Sequence, residues 1–386
     1  MQAVTLPARR SHTYRRAQRL GALGLAPVIA LLISGCDVRR ETPANAELVP
    51  NSVELVRRAA ADNAVQLTDF GQAWLAAGVN ETEQAEMQRL VADSNAHLAS
   101  LGGVYVSGLA PNDADVVDES ASSPVVVGSW APLISTLNQA AAQNFLAANA
   151  DPDGNKARLL ASIGTSQALT AQRLANLAGM ADYDPVSELI LAGWDGGMHD
   201  GIVDDVADLG EPTGGEATGI TVADFQAIVK SEDAARYAFE VAAARNEGDL
   251  RTALRQRARI HGDRGQAWAV LGQIAETDQD PRLVAYSIPA ELTPAELVLF
   301  VEKELTLRWA SLIAAAAPDA RGPLIEALLA SQLTVAQWGG GIATFPGMPD
   351  IGDQFGGSPL QPDQPRIPYE WAAELEEIPD GGPTGD

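Results

Sequence analysis

The sequence predicts an all-α protein that contains two four-helix bundles in tandem. Alanine-rich stretches dominate the chain, and their apolar residues recur three and four positions apart, as on one face of a helix. Aromatic residues make up 5% of the chain, and runs of β-branched residues, which favour strands, are scarce. The helical stretches fall into two groups, at 51–181 and 220–340, separated by an acidic, glycine-rich segment at 182–219. This arrangement predicts two domains and an internal duplication of architecture.

The first 35 residues have the composition of a secretory signal, with basic residues, then an apolar run, then small residues. The apolar run from Leu20 to Ile33 is shorter than the ~20 residues that a membrane-spanning helix needs. No acidic residue occurs in this segment, which contains five arginines: Arg9, Arg10, Arg15, Arg16 and Arg19.

The end of this segment, Leu32-Ile33-Ser34-Gly35-Cys36, resembles the lipobox of bacterial lipoproteins. The resemblance implies that residues 1–35 are a lipoprotein signal peptide and that the Cys36 sulfur carries a lipid such as palmitate. The expected location is therefore the extracytoplasmic face of a cell membrane. An ordinary signal peptide or an uncleaved anchor with an incidental cysteine is the alternative, although Cys36 is the only cysteine in the chain.

The charge of the mature chain restricts its partners. The sequence has 26 basic and 51 acidic residues, so loss of five arginines with the signal leaves a net charge of −30. This charge disfavours nucleic acid, whose phosphates require Lys and Arg, and a body that lies flat on anionic lipid. Arginine and alanine are abundant and lysine is rare, which is typical of a GC-rich genome and indicates an actinobacterial origin.

Four helices are predicted in the first group, at about 52–77, 81–101, 129–149 and 154–179. The polar segment 36–50 predicts a tether between lipid and body. We expect Ser52 to cap the first helix, and Gly102 with Gly103 to end the second. The connection at 103–128 is long and contains proline, aspartate and serine, so it predicts a crossover between two helical hairpins.

The acidic segment 182–219 predicts a solvated interdomain linker. The spacing of Asp195, Asp200, Asp204 and Asp205 lacks the alternating ligands of a calcium-binding EF-hand loop. Beyond it, helices are predicted at about 221–247, 249–274, 293–317 and 320–338, with Thr221 and Thr293 as caps and Pro294 in a first turn. The glycine- and proline-rich remainder, 341–386, predicts a disordered tail.

Several stretches of the second group resemble an actinobacterial ferritin-like domain of unknown function. The resemblance lies in residues 231–239 (SEDAARYAF), residues 255–268 (RQRARIHGDRGQAW) and residues 328–338, and it covers roughly 220–340. Residues 52–180 resemble a more diverged copy of the same bundle. This family has no established activity, so the resemblance implies a fold and an extracytoplasmic location, and no reaction.

The ferritin-like superfamily builds a di-iron site from one Glu on each of two helices and a Glu-x-x-His motif on each of the other two. In the second bundle, Glu232, His261 and Glu304 interrupt the apolar stripes and are expected to point inward. The other expected ligands are missing, because Ala258 precedes His261 by three residues and the fourth helix offers Ser331 or Gln332. The three remaining side chains predict either a single metal site, suited to zinc with an open position, or a buried polar cluster in which His261 bonds to Glu232 or Glu304.

The first bundle has lost more of the motif. Asn63 lies where the first Glu is expected, and Ser94 with His97 and Gln167 with Thr170 replace the two Glu-x-x-His motifs. Amides and hydroxyls can satisfy one another in a core without metal.

No nucleophile elbow, phosphate-binding loop or dinucleotide fingerprint occurs in the chain, so no catalytic residue is predicted. The sequence therefore predicts a non-enzymatic, membrane-anchored scaffold or interaction protein of the cell envelope, with an unidentified envelope protein as partner and no expected cofactor. The alternatives are a protein that binds or stores metal through Glu232, His261 and Glu304, and a carrier of a small apolar ligand.

Overall fold

The computed structural model describes residues 49–106, 128–196 and 218–349, and all regular secondary structure in these ranges is helical. The predicted all-α class is therefore confirmed. Among the described residues, no helix combines the length and the apolar composition that a membrane crossing requires. Several predicted segments lie outside the described residues. They are the signal peptide with Cys36, most of the tether, most of the acidic segment with Asp200, Asp204 and Asp205, and the tail from residue 350.

Nine helices are present in the described ranges, and eight of them are the predicted ones. The ninth, α5, is a short helix inside the segment predicted as a linker, where Asp184 caps the first turn and Pro185 begins it. In chain order the helices are α1 Ser52–Ala76, α2 Glu81–Ser100, α3 Trp130–Ala150, α4 Gly154–Leu177, α5 Pro185–Leu191, α6 Val222–Ala244, α7 Gly248–Leu271, α8 Pro294–Ala315 and α9 Gly322–Gln337.

Side-chain caps fix where several helices begin. Thr221 and Thr293 cap α6 and α8 as predicted, and each forms a reciprocal capping box with an acidic residue three positions later. The cap of α1 is Asn51 and not Ser52, because the Asn51 carboxamide oxygen accepts from the Glu54 amide while Ser52 already lies in the first turn.

The helices pair as four antiparallel hairpins, α1–α2, α3–α4, α6–α7 and α8–α9. The first two hairpins pack on each other, as do the last two, and α4 packs on both α8 and α9. One hydrophobic core consequently runs through both bundles, from Phe145 and Leu160 to Trp309 and Leu328. A second cluster around Trp74 and Met87 fills the other end of the first bundle.

Two residues hold the bundles in close contact. The buried guanidinium of Arg321 donates to the carbonyl oxygens of Ile313 and Ala316 at the end of α8, and to that of Ala148 near the end of α3. A cation suits these helix C-termini, where unpaired carbonyls concentrate negative partial charge. Gly154 begins α4 so close to α8 that a Cβ atom there would lie 1.9 Å from the Ala314 carbonyl oxygen.

Residues 341–349 differ from the prediction that the tail from residue 341 is disordered. This segment, which we call the strap, is non-helical up to Met348 and lies against α2, α4 and α8. Its Phe345 and Met348 side chains are buried in the shared core. The composition obscured this packing because a few apolar residues are enough to anchor a glycine- and proline-rich segment.

Candidate functional site

A cluster of ionisable side chains lies inside the second bundle. Glu232 on α6, His261 on α7 and Glu302 on α8 are all 0% exposed. The His261 ring lies between the two carboxylates: Nδ1 is 2.6 Å from Glu232 Oε2, and Nε2 is 3.2 Å from Glu302 Oε1. The predicted bond between His261 and a buried glutamate is therefore present, with Glu232 as the partner.

Two arginines from α7 complete the cluster. Arg264 is 2% exposed, and its Nε lies 3.0 Å from Glu232 Oε1 while its Nη2 donates to Glu232 Oε2 at 3.2 Å. Arg257 forms an ion pair with Glu302. The two arginines and His261 share one face of α7, because they lie at positions i, i+4 and i+7. Two carboxylates therefore face two guanidinium groups, and their charges balance.

The electrostatics of the cluster keep both carboxylates ionised. Burial raises the pKa of Glu232, but the charge of Arg264 and the bond to His261 outweigh it and hold that pKa below its ordinary value. Burial likewise raises the pKa of Glu302, and Arg257 together with His261 lowers it by more. A buried carboxylate stays charged only where such compensation exists.

Glu304, the third predicted ligand, does not join the cluster. It is half-buried on another side of α8, where it lines a shallow groove with Asp224, Ser231 and Arg308. Burial raises its pKa, which is the opposite direction from Glu302. The place predicted for Glu304 is taken by Glu302, two residues earlier.

The cause is the helical phase of α8. The prediction followed Leu297, Phe300, Glu304 and Leu307, but Phe300 and Leu307 are only partly buried. The residues that line the core instead are Val298, Glu302, Leu305 and Trp309, whose steps of four, three and four also fit a helix. This second stripe was the signal that could have identified Glu302.

The fourth helix, α9, contributes neutral polar groups to the same core. Gln332 Nε2 donates to the Thr306 hydroxyl at 2.8 Å, and Trp309 Nε1 donates to the Ser331 hydroxyl at 3.3 Å. Ala258, for which the sequence resemblance would predict a Glu, is buried and has no side-chain ligand atom.

These residues do not fit a metal centre. Among the described residues, no group of three or more His, Cys, Asp or Glu side chains has an arrangement that could hold a metal ion. Both carboxylates of the cluster already contact a guanidinium group, and a divalent cation would have to displace it. The expelled arginine would then be a buried charge without its partner, which costs several kcal/mol.

In the first bundle the residues that replace the ligand motif are polar and mostly buried, but they serve different partners. Gln167 Oε1 accepts from the Asn144 amide at 2.9 Å. His97 points to the strap, where its Nε2 lies 2.9 Å from the Thr344 carbonyl oxygen. Asn63 is only partly buried and donates to Gln143 at 2.9 Å. Ser94 and Thr170 are buried as well.

Comparison with other proteins bears on the second bundle. No curated protein and no solved structure matches the chain. One family model matches residues 224–350, a range that includes the strap and nearly all of the α6–α9 bundle. Residues 224–350 are accordingly a DUF4439 domain, described as a domain of unknown function.

Proposed function

We propose that this chain is a non-enzymatic scaffold or interaction protein of the cell envelope, anchored to the extracytoplasmic face of the membrane through lipid on Cys36. The observation that carries the non-enzymatic part is the pairing of Arg264 with Glu232 and of Arg257 with Glu302. The guanidinium groups supply the positive charge that metal ions would supply in a ferritin-like di-iron centre. The ferritin-like bundle then serves as a stable body and not as an oxidase.

The anchor is supported by the sequence around Cys36. A basic segment without acidic residues, a short apolar run and a small-residue end precede the single cysteine. The strongly acidic body fits a position away from anionic lipid and a partner that presents basic surface. The abundance of arginine and alanine and the rarity of lysine, which are typical of GC-rich genomes, support an actinobacterial source.

A Cys36→Ala variant tests the anchor. Without the thiol there is no acyl acceptor, so we expect either soluble release of the body or an unprocessed precursor. The measurement is membrane fractionation together with the mass of the mature N-terminus, and the unsubstituted chain is the control. Recovery of a correctly cut, membrane-bound Cys36→Ala protein would contradict lipid anchoring.

Elemental analysis tests the non-metal role. We expect the purified chain to contain far less than one equivalent of iron, zinc or manganese, and Glu232→Ala and His261→Ala to leave any weak metal affinity unchanged. Stoichiometric metal that is lost in both variants would favour the metal-binding alternative. Iron together with ferroxidase activity would sink the scaffold proposal.

Cross-linking in native membranes, followed by capture of the chain, identifies the partner that the scaffold proposal requires. Repeated capture of the same envelope protein, and loss of that capture when the acidic body is absent, supports the proposal.

Mass spectrometry of the native protein addresses the alternative that the chain carries a small apolar ligand. The groove beside Glu304 has a volume of about 140 Å³, which is below the roughly 300–1,000 Å³ of typical small-molecule sites.

A further inference from the structure

The strap is held by side chains that bind its backbone carbonyl oxygens. From α2, Arg89 donates to Ile342 and His97 to Thr344; from α4, Ser162 donates to Pro346 at 2.8 Å and Arg158 to Gly347 at 2.7 Å. The strap also reaches α8, where a Cβ atom on Gly347 would lie 2.9 Å from the Thr306 carbonyl oxygen. The strap therefore fastens helices of the first bundle to the second.

His97 is the fastening group whose charge can change. Its side chain is 2% exposed, and the Phe345 ring of the strap meets its ring edge-on at 5.2 Å. A carbonyl oxygen only accepts, so the contact with Thr344 places the single ring proton of neutral His97 on Nε2. Within the described part of the chain, Nδ1 is buried and has no hydrogen-bond partner.

We propose that the strap is an acid-sensitive latch, which stays closed while the His97 ring is neutral and opens when that ring takes up a proton. A proton on Nδ1 would create a buried N–H group without an acceptor and a buried positive charge. Both are costly in a site closed to water. Opening the short strap admits water to the ring while the helices of the bundle stay folded.

The charges around His97 do not remove this penalty. Asp93, one turn earlier on α2, favours the protonated ring, but its carboxylate already accepts from the Thr344 hydroxyl and lies 3.8 Å from Arg89. The strap contains no titratable side chain. Two arginines on the other helices already have partners: Arg158 of α4 donates to the strap, and Arg57 of α1 donates to a backbone carbonyl that follows α2. The residues of α8 that face the strap, Thr306 and Ala310, carry no charge. Burial lowers the pKa of His97, whereas the Thr344 carbonyl and Asp93 raise it. Burial has the larger effect, so the pKa of His97 lies below its ordinary value.

The pH window follows from that direction. When the strap is open and water reaches the ring of α2, a histidine has its ordinary pKa of about 6.5. The closed form binds the proton less well, so closure is fully favoured above this value and is lost as the pH falls below it. One linked proton changes the ratio of open to closed strap by at most about tenfold per pH unit.

Hydrogen exchange of the full chain in detergent micelles, followed by mass spectrometry, tests the latch. At about pH 5 compared with about pH 7.5, after correction for intrinsic exchange, we expect the strap amides to exchange faster, by up to about tenfold for each pH unit below about 6.5. Amides in the middle of α3 and α4 should keep their protection. Equal corrected exchange of the strap at both pH values overturns the proposal.

Two variants separate protonation from general loosening. A His97→Gln side chain can still donate to Thr344 but does not titrate, so its strap should stay closed at both pH values. A Ser162→Ala variant loses one strap hydrogen bond and no titratable group, so it should loosen the strap while keeping the same ratio between the two pH values. A strap that still opens in acid in His97→Gln contradicts the role of His97.

A direct titration of His97 in the unsubstituted chain by NMR covers the case in which His97→Gln does not fold. If the latch operates, the His97 ring should titrate below the ordinary histidine range, and the resonances of the strap should shift in the same pH interval. A ring that titrates at the ordinary value while the strap stays protected overturns it.

Discussion

Arg264 and Glu232 form a buried ion pair between neighbouring helices, with Arg264 Nε 3.0 Å from Glu232 Oε1 and both side chains closed to solvent. The second carboxylate, Glu302, is paired in the same way with Arg257. The core of this bundle therefore contains two carboxylates, each of which is paired with a guanidinium group. Removal of a single charge leaves its partner uncompensated in an apolar environment.

An Arg264→Met variant should lose about 3–5 kcal/mol of the free energy of unfolding, because it leaves the Glu232 charge buried with less compensation. The measurement is urea unfolding at neutral pH. A double variant, Glu232→Gln with Arg264→Met, removes both charges and should recover part of the loss. A single variant within about 0.5 kcal/mol of the unsubstituted chain, the usual range of a surface change, would contradict the buried pair.

The same pairs make stability depend on acid. The pKa values of Glu232 and Glu302 are lowered in the folded state, so the unfolded chain binds more protons as the pH falls. Their contribution is complete above the ordinary glutamate pKa of about 4.3 and is lost below it, by up to about 1.4 kcal/mol per pH unit for each carboxylate. Urea unfolding from about pH 6 down to about pH 3 measures this slope. In Glu302→Gln the dependence of the free energy of unfolding on pH should weaken by the contribution of one carboxylate. An unchanged slope would show that Glu302 is not ionised in the core.

Glutamines at two neighbouring positions of α8 test its helical phase. Glu302→Gln should destabilise the chain by about 3–5 kcal/mol, since Arg257 loses its buried partner. Glu304→Gln is the matched control, and it should change stability by no more than about 0.5 kcal/mol or increase it, because burial already disfavours the Glu304 charge. The reverse order of the two effects would place Glu304, and not Glu302, in the core.

The eight long helices were predictable because alanine-rich stripes and N-terminal caps act locally. Thr221 and Thr293 cap their helices through residues three positions away, so the sequence contains both partners. The phase of α8 was harder to predict, since Glu302 and Glu304 each continue an apolar stripe. When apolar residues surround most of a helix, only the neighbouring helices determine which stripe faces the core.

The strap was not predictable for a different reason. Its contacts use backbone carbonyl oxygens, which every residue has, and its anchors Phe345 and Met348 are isolated within a glycine- and proline-rich stretch. The sequence shows that α7 is rich in arginine, but the partners of Arg257 and Arg264 are Glu302 and Glu232, which lie on other helices. Long-range pairs of this kind have no signature in one sequence.

The contact between the bundles depends on Arg321. An Arg321→Met variant keeps the apolar stem but leaves the carbonyls of Ala148, Ile313 and Ala316 without their buried donor. Hydrogen bonds to a charged donor contribute about 1.5–3 kcal/mol each, so we expect a loss of at least about 3 kcal/mol. Thermal unfolding should show a lower midpoint, and hydrogen exchange should rise first at the ends of α3 and α8. A loss of protection that is uniform over both bundles would contradict a local role.

The close approach of α4 and α8 gives a steric test. In Gly154→Ala the new methyl group would lie 1.9 Å from the Ala314 carbonyl oxygen, and since that atom belongs to the backbone, the helices must separate. We expect a loss of about 1–3 kcal/mol or more, measured by urea unfolding. Gly341→Ala is the matched control, because a Cβ atom there meets nothing within 4 Å, and its stability should stay within about 0.5 kcal/mol. If Gly154→Ala is as stable as the control, the two bundles are not packed as closely at Gly154 and Ala314 as the structure places them.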